Sequence, residues 1–367
     1  MLLLKYSYFT YKYRIYPTEQ QIHLIELTLN ATKVLYNLAL DDMIKQYEQT
    51  GAILKLSLDD YKREPHYNFD GIDALALSHV LIELQNNFSK ALQNNTYPKH
   101  KSNKPKQSYS VTAKGNRIFV KDGFVYLPYV GNVKIMLHRE MQSHPIKATI
   151  TRESNGTYYI AFLFREVIPR TDLPLATPDN TLGLDYSSPH FYVDSNGNTP
   201  NHPRFYKQEE EHLNREIAKL RRKQHGSSNW HKQLQKVRKI YNKIANRRKD
   251  WLHKESTRLA DSYDIIAVED LDLQAIAGYF KLGKNTMDNA YRKFIEMLDY
   301  KMEQRGNILF KVNRYITSSQ TCNKCGYVNK QLQLSDRFWK CPNCGKLIAR
   351  DHNAAVNIKE QALKHLG

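Results

Sequence analysis

The sequence predicts a multidomain α+β protein: a small β-barrel interrupted by a helical block, then an α/β domain carrying a metal-binding ribbon. Three patterns carry that expectation. Residues 5–16 and 108–165 alternate apolar and polar positions with period two, punctuated by tight-turn dipeptides. From residue 181 onward, short buried-strand runs alternate with helical stretches, the layering of an α/β domain. Two Cys-x2-Cys pairs, fifteen residues apart, lie between the last long strand and the last helix.

Lys5–Tyr16 is rich in β-formers and reads as one or two strands, ended by Pro17. Thr18-Glu19-Gln20-Gln21 has the form of a capping box. It opens a helix to about Tyr47, with Leu24, Leu27, Ala31, Leu35 and Leu38 on one face and Gly51 closing the unit. A second helix covers about Ala74–Leu92, with Leu77, Leu81, Leu84 and Phe88 at helical spacing. Tyr97 through Lys106 reads as a basic loop, too polar to pack. Five short strands follow, at 117–120, 124–127, 133–136, 147–150 and 158–162. Turns are expected at Asp122-Gly123, Gly131-Asn132 and Asn155-Gly156. With the N-terminal strands these suggest a barrel, into which the helical block is inserted. Residues 168–180, with three prolines, read as a linker. Then come a buried strand at 181–185, a hairpin through 191–194, and two long helices broken near Gly226-Ser227-Ser228. A buried strand at 265–269, a helix over about 287–305, a strand at 307–312 and a helix opening near Asp351 complete the chain.

A length of 367 residues allows two or three domains. No apolar run reaches the ~18 residues of a membrane span, so a cytoplasmic, nucleoid-associated protein with no membrane partner is expected. The net charge of +18 points to a polyanion. Residues 204–254 carry 16 Lys/Arg against 5 Asp/Glu, and residues 94–121 carry 7 Lys/Arg and no acid. These two blocks hold the whole excess, as a phosphate-tracking surface requires. Candidate contacts are Lys99, Lys101, Lys104 and Lys106 in one block and Arg221, Arg222, Arg247 and Arg248 in the other. Tyr97 and Tyr109 are candidates to stack on bases.

Cys322, Cys325, Cys341 and Cys344 fit a closed tetrahedral Zn²⁺ shell, which makes that zinc structural. Gly326 and Gly345 follow the second cysteine of each pair, where the backbone must turn tightly. Asp185 is the one charge in the run 182–186, and Glu269 ends the run 265–268. A carboxylate at the tip of a buried strand needs a partner or a metal. Asp351 at a helix start is open to a simple N-cap role. Three such acids in a basic α/β chain can instead converge on two Mg²⁺ at a scissile phosphate, with Asp185, Glu269 and Asp351 as ligands.

The blocks resemble the TnpB family, transposon-encoded RNA-guided nucleases related to type V CRISPR effectors. Tyr13-Arg14-Ile15-Tyr16-Pro17 with Gln20, and Tyr36-Asn37-x-Ala39-Leu40, look like the family's opening. Tyr97-Pro98-Lys99-His100-Lys101-Ser102 with Gln107-Ser108-Tyr109 is similar to its basic loop, and Leu127-Pro128-Tyr129-Val130-Gly131 to its barrel hairpin. Gly183-Leu184-Asp185, Val268-Glu269-Asp270-Leu271 and Arg350-Asp351-x-Asn353-Ala354-Ala355-x-Asn357-Ile358 match the three RuvC blocks in order, and Ser318 through Gly326 leads into the ribbon as the family does. The resemblance implies a β-barrel wedge domain (1–17 and 108–170), a helical recognition domain (18–107) and an RNase H-like α/β RuvC domain (171–367). The last would hold a basic helical insertion (204–262) and the zinc ribbon (316–348). It further implies a monomer that binds a guide RNA from the transposon end. That complex would open double-stranded target DNA beside a short motif and cut both strands at one Mg²⁺-dependent RuvC site.

The sequence departs from the family pattern after Asp185, where Tyr186-Ser187-Ser188-Pro189 stand in place of a small apolar residue and glycine, which bears on the hairpin that follows. His352 is placed either at the metal site or in solvent at the helix start. Competing readings are a nuclease-silent RNA-guided repressor, whose relatives lose one or more of the three acids, and a DNA strand-transfer transposase.

Overall fold

The computed structural model describes residues 5–62, 69–113, 117–141, 144–168, 173–271, 290–333 and 335–367. The chain divides into two compact units, residues 6–167 and residues 168–367 together with the first five. Among the described residues no helix is long and apolar enough to cross a membrane.

The first unit combines a seven-stranded sheet with helices. Its strands are β1 (Lys5–Tyr16), β2 (Gln107–Thr112), β3 (Phe119–Lys121), β4 (Phe124–Leu127), β5 (Gly131–Met136), β6 (Lys147–Arg152) and β7 (Tyr158–Ile168), in the order β2-β6-β7-β1-β5-β4-β3. The inward residues alternate along each strand, as in the exposed–buried pattern of Phe124, Val125, Tyr126 and Leu127. β2 is a strand beyond the five expected. It pairs along its whole length with β6, and Tyr109 points into the sheet's core. Tyr109 is therefore a packing residue, because strand parity turns it inward. The Asp122-Gly123 turn forms as expected, with both residues at positive φ. Gly131-Asn132 does not form a turn: both lie in β5, and the chain reverses one step earlier, where Tyr129 has φ 63°.

Helix α1 (Glu19–Thr50) starts at the Thr18–Gln21 capping box and stops at Gly51, φ 69°. Its buried face is not the single stripe expected. Ile25 and Leu29 pack on the sheet, whereas Leu35, Tyr36, Ala39, Leu40 and Met43 pack with α2 (Leu58–Lys62) and α3 (Ala74–Leu92). The helix changes partner along its length, so its buried stripe shifts and Leu27 is left exposed. On α3, Leu77, Leu81, Leu84 and Phe88 are all buried. The basic loop after α3 does pack. Asn37 on α1 receives the Lys101 N–H at 2.8 Å and donates to the Lys101 carbonyl at 3.0 Å. A side-chain amide here replaces the ladder partner the loop lacks.

The second unit is a four-stranded sheet of β8 (Thr181–Ser187), β9 (Phe191–Asp194), β10 (Ile265–Glu269) and β11 (Ile308–Val312) in the order β11-β10-β8-β9. β8, β10 and β11 are parallel, and β9 returns antiparallel to β8. One face carries Leu182, Leu184, Ile266 and Val268 against α5 (Ser228–Ser262) and α6 (Tyr291–Gln304). The other carries Ile265 and Ala267 against α7 (Arg350–Leu366). The first residues expected for α6, 287–289, lie outside the described residues. α4 (Phe205–Arg221) and α5 form a hairpin closed by Phe205, Leu213, Val237, Ile240 and Ile244, with Ser227 capping α5 through the Trp230 N–H. The described part of the 168–180 linker is tied to the sheet unit, since the Ala176 N–H donates to the Leu366 carbonyl at 2.9 Å. A small ribbon of β12 (Phe338–Lys340) and β13 (Leu347–Ala349) stands between β11 and α7.

Candidate nuclease site and zinc ribbon

Strand parity alone puts the acids on one face. Leu182 and Leu184 face α5 and α6, so Gly183 and Asp185 face α7. Ile265 and Ala267 face α7, so Glu269 does too. Val268 pairs with Leu184 in parallel register, which makes Asp185 and Glu269 successors on adjacent strands. α7 comes exceptionally close to β8 at Gly183. A Cβ there would lie 2.1 Å from the Ala355 carbonyl oxygen. That approach sets the first turn of α7, with Asp351, beside the carboxyl end of β8, the end where open α/β sheets bind ligands.

Asp351 is not an N-cap: that position is Ala349, which makes no side-chain capping bond. Both carboxylate oxygens of Asp351 accept hydrogen bonds from side chains. Oδ1 accepts from Arg350 Nε at 3.0 Å and Nη2 at 2.8 Å. Oδ2 accepts from Ser187 Oγ at 3.2 Å and Arg337 Nη1 at 3.3 Å. Asp185 is held well above the usual carboxylate range, first by burial, then by the charges of Asp351 and Glu269, with Arg350 partly offsetting them. Burial also raises Glu269. The buried Tyr291 on α6 is pushed upward by burial and then by Asp185, Tyr186 and Glu269. The charges of Asp351 and Glu269 thus both act on Asp185, but the three acids do not form a ligand set within 4.8 Å as the four cysteines do.

The Tyr186-Ser187-Ser188-Pro189 departure leaves the hairpin intact. Ser187 pairs with Phe191 across β8 and β9, and the Ser187 hydroxyl becomes a donor to Asp351. His352 turns to the 194–197 turn, with Nε2 3.2 Å from the Ser195 carbonyl oxygen. It is thus a half-buried packing group on that turn.

The four thiols form the one group among the described residues whose ligand atoms all lie within 4.8 Å of one another. Cys322 Sγ is 3.7 Å from Cys344 Sγ, and Cys325 Sγ is 3.6 Å from Cys341 Sγ. A tetrahedron with Zn–S bonds of about 2.3 Å has edges of about 3.8 Å, whereas a disulfide needs about 2.05 Å. The cluster therefore fits a structural zinc. The two knuckles repeat one another: Gly326 donates to the Cys322 carbonyl and Gly345 to the Cys341 carbonyl, each at 2.9 Å, and both glycines have positive φ. Trp339 and Ile348 pack behind the thiols.

The basic candidates divide. Lys99, Lys104, Arg221 and Arg222 are exposed. Lys101 is half-buried with its amine 4.3 Å from the Tyr36 ring centre, and Lys106 meets Glu153 at 3.1 Å. Arg247 lies over Phe205 and 3.7 Å from Glu209, bracing the α4–α5 hairpin, and Arg248 is half-buried. Tyr97 stacks on Phe88 at 5.7 Å while staying partly exposed. Ser187, Arg337, Arg350 and Tyr291 contact or act on the acids and were not named as site residues from sequence. Arg350 precedes Asp351 directly and Ser187 follows Asp185 by two, whereas Arg337 and Tyr291 adjoin the acids only through the fold.

Comparison with known proteins finds likeness along most of the chain. Residues 165–279 match the OrfB family of IS605-type elements, described as "Probable transposase". Residues 291–358 match the TNB domain of Cas12f1-like proteins, and residues 7–52 match a helix-turn-helix domain of the OrfB family. In the present fold residues 7–52 form β1 and the single long helix α1. The chain is thus similar to TnpB-type and Cas12f1-like proteins. A Streptomyces pristinaespiralis protein, named as a candidate RNA-guided DNA endonuclease, is 27% identical over 95% of this chain and 88% of its own. InsQ of Escherichia coli K12, named likewise, is 25% identical over 66% of this chain and 63% of its own. A Cas12f1 chain solved with guide RNA and target DNA shares the fold, with TM-score 0.61 and 15% identity over 93% of this chain and 82% of that one.

Proposed function

We propose that this protein is an RNA-guided DNA endonuclease that uses a guide RNA from the transposon end. The complex opens duplex DNA beside a short motif and hydrolyses both strands at one RuvC-type site. The observation that supports this reading is that Asp351 and Glu269 both act electrostatically on the buried Asp185, next to which Glu269 follows on the adjacent parallel strand. The order β9-β8-β10-β11, with its antiparallel hairpin and parallel partners, supports an RNase H-like domain over 171–367. Inward residues of strands as distant as β2 and β4 share one core, which supports a barrel-like wedge domain over 1–17 and 108–170 around the helical recognition domain 18–107.

Asp185, Glu269 and Asp351 would hold two Mg²⁺, which supply an activated water and stabilise the leaving oxygen. Ser187 and Arg350 orient the Asp351 carboxylate, so that it presents a fixed face to the site. Burial raises the mutual repulsion of the acids and with it their demand for cations. The exposed Lys99, Lys104, Arg221 and Arg222 offer phosphate contacts outside the acid site, in a protein whose specificity lies in base pairing.

The test is Asp185→Ala, assayed with guide RNA, Mg²⁺ and a duplex carrying target and motif. Cutting of both strands should fall below detection while guide-dependent binding stays within about twofold, because a lost ligand disables the metal pair and not the pairing surface. Cleavage that persists would remove the assignment. Binding by the unaltered protein with no cleavage would favour the silent repressor.

A further inference from the structure

Asn353 and Asn357 sit four residues apart on α7, so both carboxamides leave the same helix face. Asn357 Nδ2 donates to the Ser318 and Thr321 carbonyl oxygens, both at 2.7 Å. Asn353 Nδ2 donates to the Thr321 carbonyl oxygen at 2.7 Å and to that of Ser318 at 3.4 Å. Each carboxamide nitrogen has two N–H groups and each carbonyl oxygen two lone pairs, so four donors meet four acceptor sites. Asn353 Oδ1 also accepts the Asn323 N–H at 3.0 Å. Asn323 lies between Cys322 and Cys325, so that bond reaches into the first zinc knuckle. Asn353 is 2% exposed, which makes an unmatched amide there costly.

The second knuckle's strand pair is tied to the same helix. Arg337, just before β12, donates to Asp351, and its carbonyl accepts the Arg350 N–H at 2.9 Å. The ribbon thus grips α7 on both sides of Asp351.

We propose that Asn353 and Asn357 are positioning residues: a carboxamide clasp that fastens the zinc ribbon to α7, so that the closed ribbon holds Asp351 in place at the acid site. The part concerning Asp351 rests on the nuclease reading above. Aspartate cannot substitute, because it sets acceptors and a negative charge against two carbonyls. Glutamine adds a methylene between helix and loop.

The test uses the full zinc-loaded chain and the variants Asn357→Asp and Asn353→Asp. Three quantities are read: zinc transfer to a chromogenic chelator, amide hydrogen exchange over residues 318–325, and Mg²⁺-dependent cleavage beside guide-dependent target binding. Zinc transfer should quicken about tenfold and the amides lose protection, as expected for the loss of one or two buried hydrogen bonds. Cleavage should fall about tenfold, with half-maximal rate at higher Mg²⁺, while target binding stays within twofold. Should the aspartate variants not fold, Asn357→Ala keeps the Asn353 half of the clasp and is read in the same way. Unchanged zinc transfer and exchange would overturn the clasp. Faster zinc loss with unchanged cleavage and Mg²⁺ dependence would overturn the positioning role. If the unaltered protein cuts under no condition, the nuclease reading fails, and the zinc and exchange readouts still decide the clasp.

Discussion

Asp185 faces two other carboxylates from inside the sheet unit, and its raised pKa has a consequence for stability. The folded state binds its proton more tightly than the unfolded chain does. Its contribution to stability is therefore complete below the ordinary carboxylate range and is lost as pH rises through the raised folded value. At neutral pH without added divalent ion, burial and the neighbouring charges around Asp185 therefore cost stability. Asp185→Asn should then raise the melting temperature by about 2–4 °C, the scale of a 1 kcal/mol change in a domain of this size. The gain should shrink as pH falls toward 4. Mg²⁺ should raise the melting temperature of the unaltered protein and leave that of Asp185→Asn nearly unmoved. Differential scanning calorimetry across pH checks both, and a variant less stable than its parent at pH 7.5 would reverse the electrostatic account.

At the scale of elements, the crossing of α7 over β8 decides whether an acid site exists. Gly183 needs no unusual φ, and its role is space alone: an added Cβ would also lie 2.7 Å from the Lys359 nitrogen. Backbone atoms on both counts cannot swing aside, so Gly183→Ala must push the helix off the strand. The expected cost is about 2–3 kcal/mol, in the upper half of the range for overpacking. Asp351 should move with the helix, so cleavage should fall well beyond what the lost stability explains at a temperature where the protein stays folded. A crystal structure of Gly183→Ala with α7 in its original place would show that the contact yields some other way.

For the whole molecule, the charge excess sits mainly on the α4–α5 hairpin and the loop after α3. The fold sorts that charge into two kinds. Arg247, though exposed, lies over Phe205 and beside Glu209, whereas Arg221 and Arg222 stand exposed at the hairpin turn. Replacing Arg221 and Arg222 with alanine should weaken RNA and DNA binding for every sequence and flatten the salt dependence by about 0.7–0.9 per lost phosphate contact. Arg247→Ala should lower hairpin stability and change the slope little. A salt titration of binding separates the two, and equal slopes for all variants would make the hairpin tip ordinary surface charge.

The sequence by itself determined the strands of both sheets apart from β2, the capped start and glycine stop of α1, and the pairing of the four thiols. Those features rest on signals carried by near neighbours: a period of two, a capping box, a Cys-x2-Cys spacing. Tertiary structure decided what depends on distant segments meeting. Ser187 reaches Asp351 across 164 residues of chain, and Asn37 takes hold of Lys101 across 64. The inward turn of Tyr109 depended on β2 finding β6, and the shift of the buried stripe along α1 on two different partners. Asn353 and Asn357 were legible as a spacing of four but not as a clasp, because the carbonyls they hold belong to a loop more than thirty residues earlier. Side-chain hydrogen bonds of that reach are settled only when the backbone has already brought donor and acceptor within about 3 Å.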